Sequence, residues 1–101
     1  MLGDISKVEN IYIACGNTDL RLGIDGLAQL LLQFHLDPFS SSLFVFCGRR
    51  RDRIKALLRE GDGFVLLYKR VEEGGYQWPR DRQEMQKFSW KETVSTCEVQ
   101  V

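Results

Sequence analysis

The segment from Leu43 to Pro79, LFVFCGRRRDRIKALLREGDGFVLLYKRVEEGGYQWP, constrains the fold more than any other part of the chain. Leu43–Cys47 is an unbroken apolar run of strand length, the pattern of a strand covered on both faces. Gly48 and the arginines after it form a turn. From Arg53 to Arg59 the residues alternate, with Ile54, Ala56 and Leu58 on one side and Arg53, Lys55 and Arg59 on the other; Leu57 interrupts the polar side. Glu60-Gly61-Asp62-Gly63 is a tight hairpin loop with glycines free to take positive φ. Phe64–Val71 forms the next strand, and Glu72-Glu73-Gly74-Gly75 a second hairpin loop. Tyr76–Trp78 is a last short strand that Pro79 stops. Strands joined by such short loops are antiparallel neighbours.

Upstream, Asn10–Cys15 reads as a strand rich in Ile and Tyr, followed by a Gly16-Asn17 turn. Thr18 or Asp19 is placed to cap a helix. Leu20, Ile24, Leu27, Ala28, Leu31 and Phe34 then recur at steps of three and four, which predicts a helix over about 20–35 with one apolar face. Gly23 and Gly26 weaken its first turns, either allowing close packing or delaying its start. His35 falls in the last turn, where a lone histidine interacts favourably with the helix dipole. Asp37-Pro38 ends the helix. After Pro79 the pattern weakens. Asp81 precedes a possible helical turn through Gln86. Ser89-Trp90-Lys91-Glu92 has the form of a capping box and predicts a short C-terminal helix. The tail beyond it has no evident partner.

The expected fold is therefore α+β. It is one small domain over 1–101, an antiparallel β-meander of four to five strands with one main helix packed on it. The meander is built from 43–47, 53–59, 64–71 and 76–78. Residues 1–9 and 93–101 are expected to be peripheral, with 99–101 fraying. No apolar run approaches the ~20 residues that cross a bilayer, and the start, MLGDISKVEN, has no apolar signal core. A cytoplasmic location is expected.

Composition excludes several chemistries. With one histidine, His35, and three cysteines that form no C-x-x-C pair, no metal site is expected. Cys15 and Cys47 each end an apolar run and are expected to be buried, reduced thiols. Asp19, Asp25, Asp37, Glu60 and Asp62 each have a local role as cap, surface or turn residue, so a metal-dependent nuclease centre is not expected. No catalytic residue and no cofactor is proposed from the sequence.

Charge is the sharper signal. The chain is neutral overall, with 14 basic and 14 acidic side chains. Residues 1–48 nevertheless hold two basic and five acidic side chains, whereas residues 49–59 hold six basic residues against one acid, Asp52. Arg49, Arg50, Arg51, Arg53, Lys55 and Arg59 are the candidate nucleic-acid-binding residues, because arginine matches phosphate in a two-pronged fork and keeps its charge. Tyr68 and Arg70 would extend the patch onto the next strand. No base-reading helix or aromatic stacking triplet accompanies it, so contact would be weak and non-specific.

Three blocks carry a resemblance. ACGNTDLRLGIDGLAQLL at 14–31, DPFSSSLFVFCGRRRDRIK at 37–55 and GDGFVLLYKRVEEGGYQWP at 61–79 resemble the accessory TnpB protein of the IS sixty-six class of bacterial insertion sequences. The blocks cover about three quarters of the chain, in order. The resemblance implies a role in transposition beside a separate catalytic transposase, with element DNA, the transposase, or both as partners. No membrane and no small-molecule substrate is implied. It supplies no catalytic residue. A nuclease acting on transposon ends and a protein-only scaffold are the alternatives. Two departures stand out: Leu58-Arg59 replaces a usual Tyr-Trp pair, and TVSTCEVQV replaces a usual Leu-rich helix. They imply a diverged copy.

Overall fold

The computed structural model describes residues 2–80 and 82–101; Asp81, expected to open a helical turn, lies outside the described residues. The order of elements is β1 (Asn10–Ala14), α1 (Ile24–Gln33), β2 (Ser42–Cys47), β3 (Arg53–Glu60), β4 (Gly63–Arg70), β5 (Gly75–Tyr76), β6 (Met85–Phe88), α2 (Trp90–Thr96) and β7 (Val99–Gln100). The fold is α+β, as the sequence patterns predict. A five-stranded sheet runs β4-β3-β2-β1-β6, and β5 pairs with β7 in a separate two-stranded ribbon.

β2 organises the molecule. All six of its residues are buried. Phe44 and Phe46 pack on one face with Ala14, Leu57 and the α1 residues Leu27 and Leu31. Leu43, Val45 and Cys47 pack on the other with Ile11, Ile13, Leu58, Tyr76 and Trp78. The sequence alternation of β3 is realised in register, with Ala56 opposite Val45 and Leu57 opposite Phe44. The Glu60–Gly63 hairpin leads into β4 as expected.

The meander is thus β2-β3-β4, and the sheet grows on the other side of β2. β1 pairs there in parallel, Ile11 opposite Leu43 and Ile13 opposite Val45. The long connection carrying α1 permits parallel pairing, which a short hairpin cannot. β6 adds antiparallel to β1 at the far edge. It occupies residues for which a helical turn through Gln86 was expected.

The segment 76–78 does not extend the meander beside β4. It turns beneath the sheet, where Tyr76 and Trp78 are nearly fully buried. Burying two large rings is worth roughly 2–5 kcal/mol each, against about 1 kcal/mol net for each hydrogen bond of an edge strand. The Trp78 indole N–H donates to the Ala14 carbonyl at 2.8 Å. The tail expected to fray is paired instead: Val99 lies opposite Tyr76 and Gln100 opposite Gly75.

The main helix starts later than predicted. Asp19 accepts from the Arg21 amide and side chain in a turn of its own, and Gly23 is the N-cap without a side-chain bond. Leu22 folds back over Gly26, where a Cβ would sit 2.8 Å from Leu22 Cδ2. His35 is not in the last turn. It adopts φ +60° just past the C-cap, while Leu36 N–H reaches back to the Leu31 carbonyl at 3.0 Å, the Schellman arrangement. The capping box at Ser89 and Glu92 is formed, with Ser89 accepting from Glu92 N–H and Glu92 from Ser89 N–H.

Cys15 and Cys47 are both buried, as expected, and Cys47 is a free thiol. Burial pushes the Cys47 thiol from its ordinary 9.0 up to about 12, and the Cys97 thiol and Tyr76 hydroxyl upward as well. Cys47 thus stays protonated in the fold while it ionises in the unfolded chain. Its contribution to stability is full below pH 9.0 and is lost as the pH rises toward about 12. Thermal denaturation midpoints should fall across that window, and Cys47→Ala should flatten the fall relative to its own value at neutral pH.

Gly74 tests the β5–β7 ribbon. Its φ is +83°, and an added Cβ would run into the Gln100 carbonyl. Gly74→Ala should destabilise the chain by about 1–3 kcal/mol in denaturant titration and speed amide exchange at Gly75 and Gln100 before the central sheet.

Candidate nucleic-acid interface

β1 and β2 run parallel and end side by side at Ala14 and Cys47. Loops leaving the carboxyl ends of parallel strands commonly hold ligands. Here three segments meet: 15–19 after β1, 48–52 after β2, and the described residues of 79–84 before β6.

The 48–52 loop is tightly determined. Gly48 N–H donates to the Arg53 carbonyl at 3.1 Å, and Arg51 N–H to the Gly48 carbonyl at 3.0 Å. A side chain at Gly48 would crowd Leu20 and Arg53, with a Cβ at 3.2 and 3.3 Å from their nearest atoms. Arg51 sits in the left-handed region with φ +61°, a conformation that costs a non-glycine residue about 1–2 kcal/mol. Tyr76 N–H holds it there by donating to the Arg51 carbonyl at 2.8 Å, and Val71 N–H donates to the Asp52 carbonyl at 2.7 Å.

The 79–84 loop is fastened to the end of β1. Gly16 N–H donates to the Pro79 carbonyl and Cys15 N–H to the Glu84 carbonyl, both at 2.8 Å. Gln83 Nε2 donates to the Asn17 carbonyl at 3.2 Å. With Trp78 anchored on Ala14, these bonds set Arg80 and Arg82 beside the arginine turn.

Two adjoining cavities result. One, of about 300 Å³, is lined by Arg49, Arg51, Arg80 and Arg82 over Gly16, Gly48 and Trp78. The other, of about 990 Å³, is lined by Arg21, Arg49, Arg50, Arg53 and Lys55, with Tyr68 and Leu66 from β4. Arg49 stands between them. In the larger cleft five cations face two carboxylates, Asp19 and Asp52. Both carboxylates are engaged locally. The Arg21 guanidinium grips Asp19, with Nη2 to Oδ2 at 2.8 Å, and holds its carboxyl down to about 2. Arg53 Nε donates to Asp52 at 3.1 Å and holds that carboxyl below its usual range. Arg82 pairs with Glu84 at 3.3 Å. Among the described residues, no ion pair involves Arg49, Arg50 or Arg51.

The six candidate residues therefore do not form one stripe. Arg49, Arg50, Arg53 and Lys55 line the larger cleft and Arg49 and Arg51 the smaller. Lys55 donates to the Leu22 carbonyl at 3.1 Å and lies 5.6 Å from the Tyr68 ring. Arg70 is opposite Arg53 across β3 and β4. Arg59 is at the other end of β3, six residues and roughly 20 Å from Arg53. Its guanidinium lies 5.1 Å from the rings of both Phe39 and Phe64, a cation–π arrangement that holds it to the body of the protein. Arg80 and Arg82 were not singled out from sequence. About thirty residues separate them from the arginine run, and the only hint was two more arginines directly after Pro79.

Among the described residues, no three His, Cys, Asp or Glu side chains converge as a metal-binding group. No helix of the described chain is long and apolar enough to cross a membrane.

No solved structure matches the chain. Two relatives come from Sinorhizobium fredii, named Uncharacterized protein y4hO and Uncharacterized protein y4jC. The first is 37% identical over 70 residues, covering 68% of this chain and 61% of the relative. The second is 34% identical over 75 residues, covering 73% of this chain and 64% of the relative. The match thus spans less than two thirds of the length of either relative. The family model described as IS66 Orf2 like protein matches residues 9–98, which include every loop of the basic rim. The chain belongs to the IS66 Orf2 like family.

Proposed function

We propose that this chain is a non-enzymatic accessory factor that holds nucleic-acid phosphates in the two basic clefts at the carboxyl ends of β1 and β2. The carrying observation is the convergence of two arginine groups distant in sequence, 49–53 and 80–82, around one pair of cavities. Guanidinium groups match phosphate oxygens in shape and charge. The clefts are open, and their cations come from loops and one strand face. That favours tracking a backbone over reading base edges. Element DNA is the natural substrate for a member of a transposition family. The carboxylates at the rim are occupied by arginines rather than gathered to hold a metal, which favours binding over hydrolysis.

Binding should be weak, largely independent of sequence and steeply dependent on salt. The test is fluorescence anisotropy with element-end duplexes, comparing native protein with Arg49→Ala/Arg50→Ala/Arg51→Gly. Glycine at 51 relieves the left-handed strain, so the variant is not expected to unfold. Each phosphate left without its arginine should lower the log–log salt slope by about 0.9, so the triple variant should show a slope smaller by roughly two to three units. Unchanged affinity and slope would end this reading. A variant that keeps DNA binding but no longer binds a transposase partner would support the protein-only scaffold instead.

A further inference from the structure

β4 is an edge strand whose charges are confined to its last two residues, Lys69 and Arg70. It is eight residues long, Gly63–Arg70, and ends the order β4-β3-β2-β1-β6. It contains no proline, and Phe64–Tyr68 contains no charge. The opposite edge, β6, has four residues and carries Lys87 near its middle. Long edges with an uncharged, apolar stretch are the ones that recruit another strand.

The ladder fixes which backbone groups face outward. Val71 N–H donates to the Asp52 carbonyl, and the β3–β4 register places Arg53 opposite Arg70. Odd-numbered residues of β4 therefore bond to β3. The amides and carbonyls of Phe64, Leu66, Tyr68 and Arg70 point away from the sheet. Among the described residues, no backbone hydrogen bond from another segment reaches them.

We propose that two copies of this chain pair through β4, antiparallel, about a two-fold axis at Leu66. An even-to-even register is required for the outward groups to bond, and side chains select among the few such registers. With Leu66 opposite Leu66, Phe64 falls opposite Tyr68 on the α1 face and Val65 opposite Leu67 on the other. Arg70 of each copy then lies beside Asp62 at the hairpin of the other. Apart from Gly63 opposite Lys69, every cross-strand pair is apolar, aromatic or of opposite charge, the combinations that stabilise sheets. Shifting the axis to Leu67 sets Asp62 against Glu72 and Arg70 against Phe64. Shifting it to Val65 leaves Asp62 opposite Tyr68 and shortens the paired stretch. Leu67 and Tyr68, 40% and 53% exposed in the single chain, become covered in the favoured register.

The interface is isologous and closes at two copies. Because the axis is perpendicular to the sheet, both α1 helices and both larger basic clefts lie on the same face. A duplex could then touch two clefts at once, with the second engaged at high effective concentration. The pairing itself does not depend on the nucleic-acid reading.

Sedimentation velocity over a concentration series tests it. The native chain should show a reversible monomer–dimer equilibrium. Asp62→Arg and Arg70→Asp should each weaken the dimer about tenfold, since each creates two like-charge contacts by symmetry. The double variant Asp62→Arg/Arg70→Asp should regain most of the native affinity. Leu66→Lys, which places two cations on the axis, should be monomeric with an unchanged circular-dichroism spectrum. A native chain monomeric up to about 1 mM would overturn the proposal. So would a double variant no better than its worse single parent.

Discussion

The burial of β2 on both faces is the constraint from which the rest of the molecule follows. A strand with Phe44 and Phe46 on one side and Leu43, Val45 and Cys47 on the other needs two covers. The first is α1, laid on Phe44, Phe46 and Leu57 by the connection from β1 to β2. The second is assembled from Tyr76, Trp78 and α2, which carries the buried Thr93. Supplying that second cover takes the chain beneath the sheet at 76–78 and brings it out past the end of β1. The ring of arginines is a consequence: the path that completes the core delivers Arg80 and Arg82 to the loop that already holds Arg49 and Arg51.

Electrostatically the rim is a balance of engaged and unengaged cations. Arg21, Arg53 and Arg82 have carboxylate partners at 2.8, 3.1 and 3.3 Å. The Arg21–Asp19 and Arg82–Glu84 pairs are largely solvent-exposed and Arg53–Asp52 about a third exposed, and pairs of this kind contribute little to stability. Their effect is to orient guanidinium groups and to keep Asp19 and Asp52 ionised. Arg49 and Arg50, exposed at the crown of the turn, stand outside those pairs. Arg59 is the contrasting case, an arginine of the same run whose charge is engaged by Phe39 and Phe64.

What sequence made legible was local. The apolar run of β2, the Glu60–Gly63 hairpin, the β3 alternation and the Ser89–Glu92 capping box depend on neighbours a few residues apart, and each formed as expected. What it hid was long-range. Parallel pairing of β1 with β2 spans thirty-two positions, and β5–β7 pairing spans more than twenty, so no local period announces either. Tyr76 and Trp78 alternate like a strand, but they fill a core beneath the sheet and do not extend the meander beside β4, because ring burial outweighs edge pairing. The glycines at 23 and 26 left the start of α1 ambiguous, and Leu22 folding onto Gly26 resolves it in favour of a late start. For the candidate site, the 49–55 cluster was visible as charge density, while Arg80 and Arg82 belong to it only through the bonds that tie 79–84 to 15–17.

The central claim is that phosphate contact follows the three-dimensional rim and not the linear arginine run. Arg59 lies in the run but away from the clefts; Arg80 and Arg82 lie far from the run but within them. The most direct measurement is the salt dependence of duplex binding for Arg80→Ala/Arg82→Ala beside Arg59→Ala, each checked for native circular dichroism. The account predicts a slope lowered by roughly one to two units in the first variant and a native slope in the second. An unchanged slope on removal of Arg80 and Arg82, with a lowered one on removal of Arg59, would contradict it.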